Sequence, residues 1–158
     1  MRTLMQAVAT CPQNPEAIRL LGEALAEQGD AEGAKADYRR LEQLAASFPR
    51  IYDRHWVLFL ADHGRDLDAA LALARKDLQL RQDVLAHDTP AWVCHKKGMV
   101  DEAEREMAKA LSQGMKSAPL YHHAGVIAKA SGDQDKAEAF FAIAKSLNPY
   151  LMKAAKVD

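Results

Sequence analysis

Glycine and alanine recur along this chain at a nearly constant spacing, and this pattern of small apolar positions predicts a repeated structural unit. Gly29, Gly64, Gly98 and Gly132 are separated by 35, 34 and 34 residues. Two further sets of small or apolar residues keep the same register, five residues after and seven residues before each glycine. Their members are Ala34, Ala69, Ala103 and Ala137, and Gly22, Val57, Ala91 and Gly125. Three sets that agree over four units indicate an internal repeat of about 34 residues.

Each set has a mechanical role in a unit made of two antiparallel helices. A small residue on the first helix allows the two helices to approach closely, and a glycine at its end supplies the positive φ that a tight turn needs. The alanines fall where the second helix packs against the next unit. An acidic residue follows each turn and suits a helix cap or first turn, where backbone donors and the helix dipole favour negative charge. These acidic residues are Asp30, Asp66, Asp101 and Asp135.

The fourth unit carries the clearest version of a known pattern. It contains Tyr121-x-x-Ala124-Gly125-x-x-Ala128, followed by Ala137-x-x-x-Phe141 and then by Ala144 and Pro149. This pattern resembles the tetratricopeptide repeat family, and the resemblance covers about residues 15–149. The first unit also fits well, whereas the second unit is the most divergent because Trp56-Val57 stands where Leu-Gly is usual.

The resemblance implies an all-α fold, namely a right-handed α-solenoid of about four antiparallel helix-pair repeats with a short C-terminal capping helix. The predicted repeats span 15–48, 49–82, 83–117 and 118–149 within a single domain covering 1–158. Residues 1–13 are predicted to be part of a preceding repeat, and residues 150–158 to cap the last one, because a solenoid end otherwise exposes its apolar face. The predicted helix pairs are 15–28 with 31–47, 50–63 with 66–80, 84–97 with 101–112, and 118–131 with 135–147.

Pro90 breaks the pattern because it falls inside the predicted first helix of the third repeat. Proline removes one backbone donor and crowds the carbonyl of Ala86, four residues earlier. Either the helix is kinked near Ala86, or it starts late with Thr89 as its cap and Pro90 as its first residue. We favour the kinked helix, since the repeat length leaves little room for a long loop.

Composition and charge narrow the classes of function. The formal net charge of the 158 residues is -1, so the chain has no overall basic field that would recruit nucleic acid or an anionic membrane. Cys11 and Cys94 are far apart and form neither a disulfide framework nor a zinc pattern. The N-terminal apolar stretch is too short for a secretory signal, and no segment is long enough to span a bilayer. We therefore expect a cytoplasmic protein, or a piece of a larger protein whose targeting signal is absent.

Motifs for chemistry are missing from the sequence. It contains no phosphate-binding loop, dinucleotide fingerprint, nucleophile elbow or zinc-protease motif, so we predict no enzyme and no cofactor. His95 and His122 lie on successive first helices, with Asp88 as the nearest third candidate ligand. A zinc site needs three or four converging ligands, and we favour unconnected histidines over a metal site. Cys94 occupies a register that is apolar in the other repeats, which favours a core cysteine over a nucleophile.

A partner-binding groove is the remaining candidate site. In the tetratricopeptide repeat family the first helix of each repeat lines a concave face, and the resemblance implies the same here. The predicted groove residues are Arg19, Glu23, Arg54, His55, Leu58, Asp88, Trp92, His95, His122, Val126 and Lys129. Trp92 is either an aromatic anchor for a partner or a residue that packs on the neighbouring repeat, whereas Trp56 is predicted to fill the core.

The function predicted from the sequence is a non-enzymatic scaffold that binds a partner peptide or domain in this groove. The groove charges lean positive, which favours an acidic or C-terminal segment of the partner. A self-assembling structural module is the alternative, and metal binding through the groove histidines is less favoured. We predict neither nucleic acid nor membrane as a partner, and the sequence leaves the oligomeric state open.

Overall fold

The computed structural model describes residues 1–149, apart from the side chains of residues 49–53, and the regular secondary structure of this part of the chain is entirely α-helical. Its helices are α1 Arg2–Thr10, α2 Pro15–Glu27, α3 Ala31–Ser47, α4 Pro49–Asp62, α5 Leu67–Leu80, α6 Val84–Lys96, α7 Val100–Ser112, α8 Ala118–Ala130 and α9 Gln134–Leu147. The ends of the eight paired helices lie within one residue of the predicted ones, and the all-α prediction is confirmed. The predicted capping helix at 150–158 lies outside the described residues.

The length and hydrophobicity of a helix decide whether it can cross a membrane. Among the helices of residues 1–149, none combines the length and the apolar composition that a bilayer crossing demands.

The chain divides into two compact units, residues 1–60 and the residues from Ala61 onward. In the first unit, α2 packs against α1 and α3. In the second unit, α6 pairs with α7 and α8 pairs with α9, while α6 also contacts α5 and α8. These are the antiparallel helix pairs expected of the repeats. The assignment of the whole chain to one domain with the repeat boundaries given above stays a prediction.

The two glycines within first helices mark points of close approach, as predicted. A Cβ atom added at Gly22 would lie 2.5 Å from Cε1 of Tyr38, and one added at Gly125 would lie 2.5 Å from Cε1 of Phe141. In the pairs α2–α3 and α8–α9, an aromatic ring of the second helix therefore occupies the space of the missing side chain. The four turn glycines all have positive φ, between 59° and 89°, so that prediction is also confirmed.

The turn before α5 is one residue longer than the other turns, and this shifts the predicted ladder of alanines. In the other three turns the residue after the glycine occupies the N-cap position of the next helix, but Arg65 separates Gly64 from the N-cap residue Asp66. Asp66 itself has a φ of 40°. The fourth residue of α5 is therefore Ala70, which is 0% exposed, while Ala69 is partly exposed. The prediction of Ala69 as the packing position was wrong by one residue.

The acidic residues after the turns lie at the helix starts, as predicted. Asp30 caps α3 by accepting a hydrogen bond from the backbone N–H of Gly33 at 2.9 Å, and Asp66 caps α5 in the same way. Asp101 and Asp135 lie in the first turns of α7 and α9. Their carboxylates face the partial positive charge of the helix start.

Helix α6 runs without interruption through Pro90. Its cap is Asp83, whose carboxylate accepts hydrogen bonds at 3.0 Å from two backbone N–H groups of the first turn. The alternative of a late start with Thr89 as cap is therefore wrong, because Asp83 already satisfies the donors of an earlier start. The Thr89 hydroxyl instead donates a hydrogen bond to the carbonyl of Leu85 at 2.8 Å. Helix α6 is buried along most of its length, since it is packed against α5, α7 and α8.

Candidate partner-binding face

The eleven predicted groove residues fall into two sets, one in each compact unit. Arg19, Glu23, Arg54, His55 and Leu58 belong to the first unit, on α2 and α4. Asp88, Trp92, His95, His122, Val126 and Lys129 belong to the second unit, on α6 and α8.

In the first unit, a network of charges connects α2 to α4. The guanidinium of Arg19 donates to the carboxylate of Glu16 at 2.8 Å and also pairs with Glu23. Nδ1 of His55 lies 3.6 Å from Oε2 of Glu16. The His55 imidazole, assisted by Arg19 and opposed by burial, lowers the pKa of Glu16 to about 2. Because two carboxylates bind Arg19, this residue contributes less positive charge to the face than the sequence analysis assumed.

The other residues of the first set lie on α4. Arg54, His55 and Leu58 are each partly exposed, as a surface for contact with a partner requires. Trp56 is also partly exposed and stacks on Phe59, with ring centroids 5.2 Å apart. Phe59 is the fully buried aromatic residue here, so Trp56 covers the core rather than fills it, in contrast to its predicted role.

In the second unit, Trp92 lies at the centre of a cluster of basic side chains. Its ring stacks on His123 of α8 at a centroid distance of 4.1 Å and on His95 at 5.3 Å. Its Nε1–H donates to Oδ1 of Asp62 at 2.7 Å, and Nζ of Lys96 lies 4.8 Å from the ring centroid. Trp92 is 6% exposed. Of the two alternatives for Trp92, the structure shows the one in which it packs on the neighbouring repeat.

Asp88 is the second buried member of the predicted set. It is 1% exposed, and its Oδ1 atom lies 2.8 Å from Nδ1 of His123. This pair joins α6 to α8 and gives the buried carboxylate a hydrogen-bonded partner. Asp88 and Trp92 therefore lie beneath the accessible surface of α6 and α8 and are not part of it.

His123 and Lys96 belong to the cluster around Trp92 but were not among the predicted groove residues. His123 stacks on Trp92 and binds Asp88, yet it falls one register position away from the groove position of His122. A signal for it existed in the sequence. Asp88 lies among apolar residues of a nearly fully buried helix, and such a carboxylate needs a donor from a neighbouring helix.

The accessible part of the site lies on one side of α6 and α8. His122, Val126 and Lys129 are spaced by four and three residues, which places them on one side of α8. His95, His122 and Val126 are partly exposed, while Lys96 and Lys129 are exposed. We call the surface formed by these residues the α6–α8 face. Its members are His95, Lys96, His122, Val126 and Lys129.

The two imidazoles of the α6–α8 face favour their neutral form. Burial lowers the pKa of His95, and the charges of Lys96 and His123 lower it further. Burial also lowers the pKa of His122, with His123 and Lys96 acting in the same direction and Asp62 acting against them. At neutral pH the positive charge of the accessible face therefore comes from its two lysines.

Acidic residues are segregated from this face. Within α6 and α8, Asp88 is the only carboxylate, and it is buried against His123. The second helices carry most of the acidic residues of the second unit. These are Asp68 and Asp77 on α5, Asp101, Glu102, Glu104 and Glu106 on α7, and Asp135 and Glu138 on α9.

His55, His87 and His123 each lie beside one carboxylate of another helix. Nδ1 of His87 lies 2.7 Å from Oε2 of Glu106, and Asp88, the nearest candidate for a third metal ligand, is paired with His123. Among residues with described side chains, no three His, Cys, Asp or Glu side chains come together as metal ligands. Cys94 is fully buried, and burial raises the pKa of its thiol to about 11, with Glu102 adding to the effect. The prediction of a core cysteine is confirmed.

A second concave feature lies among α7, α8 and α9. It is an open cleft of about 310 Å³ with apolar walls that include Met107, Leu111, Ile127 and Phe140. The charged residues Arg105 and Lys136 also line it. This cleft was not among the predicted sites, since it is formed mainly by second helices.

Comparison with known proteins confirms the predicted family resemblance and fold. Residues 118–151 match the model of the tetratricopeptide repeat, and they include the unit that carries the clearest sequence pattern. No curated protein matches the chain.

Solved structures with a similar fold cover nearly the whole chain. One is the crystal structure of TTC0263, a thermophilic tetratricopeptide repeat protein of Thermus thermophilus, which is 20% identical, with a TM-score of 0.63 over 95% of this chain and 82% of that chain. MamA from Desulfovibrio magneticus RS-1 is 16% identical, with a TM-score of 0.54 over 99% and 85% of the two chains. PilF of Pseudomonas aeruginosa is 21% identical, with a TM-score of 0.52 over 97% and 71%. At these identities the similarity shows the fold, which is that of modules that generally bind other proteins.

Proposed function

We propose that this chain is a non-enzymatic scaffold that binds a segment of another protein on the first helices of its repeats, with the α6–α8 face as the principal site. The observation that carries the proposal is the chemistry of this face. It carries two exposed lysines and two partly exposed imidazoles, and the nearby carboxylates of Asp62 and Asp88 are already hydrogen-bonded.

The partner segment is proposed to be acidic, and a chain terminus is included because its carboxylate has the same chemistry. Lys96 and Lys129 are exposed and supply positive charge at two points on the face. Val126 lies between His122 and Lys129 on α8 and gives an apolar contact beside those charges. Electrostatic complementarity of this kind chiefly sets specificity and the rate of association.

Rigid support for the face favours binding. The stack of Trp92 on His123 and the pair of His123 with Asp88 fix α6 against α8. A surface held in its binding geometry loses less conformational entropy when a partner docks. In this proposal Trp92 positions the face and does not itself contact the partner.

Charge reversal on the two kinds of helix tests the proposal. The Lys96→Glu/Lys129→Glu variant changes the α6–α8 face, and the matched Lys109→Glu/Lys136→Glu variant makes the same change on the second helices α7 and α9. Immobilised protein is used to capture partners from a lysate of the source cells at pH 7.5, with circular dichroism as a check of folding. We expect the proteins captured by the native chain to be retained by the matched variant and lost by the face variant. Capture that is equal for both variants would rule out the α6–α8 face.

Self-assembly is a second candidate, favoured by one observation at the end of the described chain. Ile143 and Leu147 lie one turn apart on α9 and are 38% and 42% exposed. Two exposed apolar residues at this spacing form a small apolar stripe on one side of the helix. Light scattering over a concentration series should show an increase in mass for the native chain and a constant mass for Ile143→Lys/Leu147→Lys. A native chain with constant monomer mass would exclude this candidate.

A further inference from the structure

The histidines of the α6–α8 face are surrounded by more basic than acidic groups. His95 and Lys96 come from α6, and His122 and His123 come from α8, all around or beside the ring of Trp92. The ring centroids of His122 and His123 are 6.3 Å apart. Four groups that carry or can accept positive charge therefore meet on one surface.

The carboxylates near this surface are engaged with other donors. Asp62, from the end of α4, accepts the Nε1–H of Trp92, and Asp88 binds His123. Among the side chains that the structure describes, no carboxylate lies within ion-pair distance of His95 or His122. Protonation of either imidazole in the unbound protein thus adds a positive charge beside Lys96 and His123, and only His122 has an anion, Asp62, that offsets this charge in part.

The charges on the remaining helices that pack against α6 and α8 form separate pairs. Asp68 of α5 pairs with Lys97, which directly follows α6, and Arg75 of α5 pairs with Glu102 of α7. His87 pairs with Glu106, which also binds Lys109. From α9, the ring of Phe141 lies next to His122, at a centroid distance of 5.9 Å. These pairs leave Lys96, His123 and Asp62 as the charges that act on the two imidazoles.

From this arrangement we propose that an acidic segment docks on the α6–α8 face together with protons taken up by His95 and His122. The inference rests on the proposed function, whose site it uses. A docked carboxylate supplies an anion within ion-pair distance, which neither imidazole has in the unbound protein, so the imidazolium form is favoured in the complex. Binding is then stronger in mildly acidic solution than in neutral solution.

The size of the effect follows from linkage. Each proton taken up on binding changes the dissociation constant by up to about tenfold per pH unit, between the histidine pKa of the unbound protein and that of the complex. Glutamates of a peptide have a pKa of about 4.3 and stay ionised above about pH 5.5, so they do not add to this dependence. For two histidines that take up protons over part of this range, we expect the affinity to rise about tenfold or more from pH 7.5 to pH 5.5.

The test uses the whole chain and a defined probe. A rhodamine-labelled peptide of glutamate and alanine is titrated with the native protein from pH 7.5 to pH 5.5, and a glutamine–alanine peptide serves as the uncharged control. The variants are His95→Gln, His122→Gln and the double variant, with His63→Gln as a control at an exposed histidine outside the face. Calorimetry at pH 6.5 in buffers of different ionisation enthalpy measures the protons taken up.

The proposal predicts a steep pH dependence for the native protein and for His63→Gln, about half of it in each single variant, and none in the double variant. It also predicts an uptake of about one to two protons by the native complex, from two linked histidines. A dependence that persists in the double variant, or that is absent from the native protein, overturns the proton linkage. Failure of the acidic peptide to bind at any pH overturns the acidic docking itself. The scaffold proposal is judged separately by the capture experiment at pH 7.5.

Discussion

The close contact between Gly125 and Phe141 allows a quantitative test of how the fourth repeat is packed. In the Gly125→Ala variant the new Cβ would lie 2.5 Å from Cε1, 2.6 Å from Cδ1 and 3.0 Å from Cζ of the Phe141 ring. These distances are well inside normal contact between carbon atoms. The ring, which is only partly buried, or the α8–α9 pair must therefore move to accept the methyl group.

Two opposing contributions set the change in the free energy of unfolding. Alanine is about 1 kcal/mol more favourable than glycine inside a helix. Forcing extra volume into a packed site costs roughly 1–3 kcal/mol. We expect Gly125→Ala to destabilise the native chain by up to about 2 kcal/mol, because the steric term exceeds the gain in helix propensity.

The Phe141→Ala background isolates the steric term, because it removes the three ring atoms involved. In that background Gly125→Ala should stabilise the protein by about 1 kcal/mol, which is the helix propensity alone. Urea denaturation of all four proteins gives the coupling between the two positions, expected to be about 1–3 kcal/mol. If Gly125→Ala changes the free energy of unfolding equally in both backgrounds, the ring does not occupy the space above the glycine and the packing argument fails.

Further predictions concern the thiols, one turn and one ion pair. In native protein at pH 8 a thiol reagent should modify Cys11 quickly and Cys94 only after unfolding, because Cys94 is buried and its thiol pKa is raised to about 11. Rapid reaction of both thiols would contradict the burial of Cys94. Gly98→Ala should lower the free energy of unfolding by about 1 kcal/mol through backbone strain alone, because the φ of Gly98 is 76° and an added Cβ would have no atom within 4 Å. Gly98→Asn should lower it by less, because asparagine tolerates positive φ better than alanine. Equal effects of the two substitutions would refute backbone strain as the cause. The lowered pKa of Glu16, due first to His55, contributes stability that is present above the unfolded pKa of about 4.5 and is lost as the pH falls towards 2. For a half-exposed carboxylate this amounts to about 1 kcal/mol, so urea midpoints of Glu16→Gln and native protein should differ at pH 6 and converge near pH 2.

The helices could be predicted from the sequence because their signals are local. A glycine with positive φ ends a first helix, and a carboxylate at the next helix start satisfies backbone donors, wherever the rest of the chain lies. The error in the alanine positions, Ala69 in place of Ala70, also has a local cause. The alanines were aligned on Gly64, but the second helix is positioned by its cap, Asp66, and the extra residue lies between the two.

The candidate site could be predicted only in part, since its chemistry depends on contacts between repeats. Helical periodicity placed His122, Val126 and Lys129 on one side of α8, but it does not tell which side of α6 the neighbouring helix covers. Asp88 and His123 are 35 residues apart, one more than the repeat. A comparison of repeats aligns residues in equivalent positions, but it does not show which residues touch. It therefore could not pair the carboxylate of Asp88 with His123, which lies one position away from the equivalent residue.

The basic character of the α6–α8 face arises from the distribution of charges and not from their sum. The chain has a net charge of -1, yet the second helices carry most of the carboxylates of the second unit. The acidic groups closest to the face, Asp62 and Asp88, each bind a donor that belongs to the support beneath it. If Asp88 were replaced by alanine, His123 would lose its charged partner and α6 would lose a hydrogen bond to α8, while Lys96 and Lys129 would keep their positions at the surface. Such a variant would separate the two roles, because it weakens the support of the face and leaves its accessible charges unchanged.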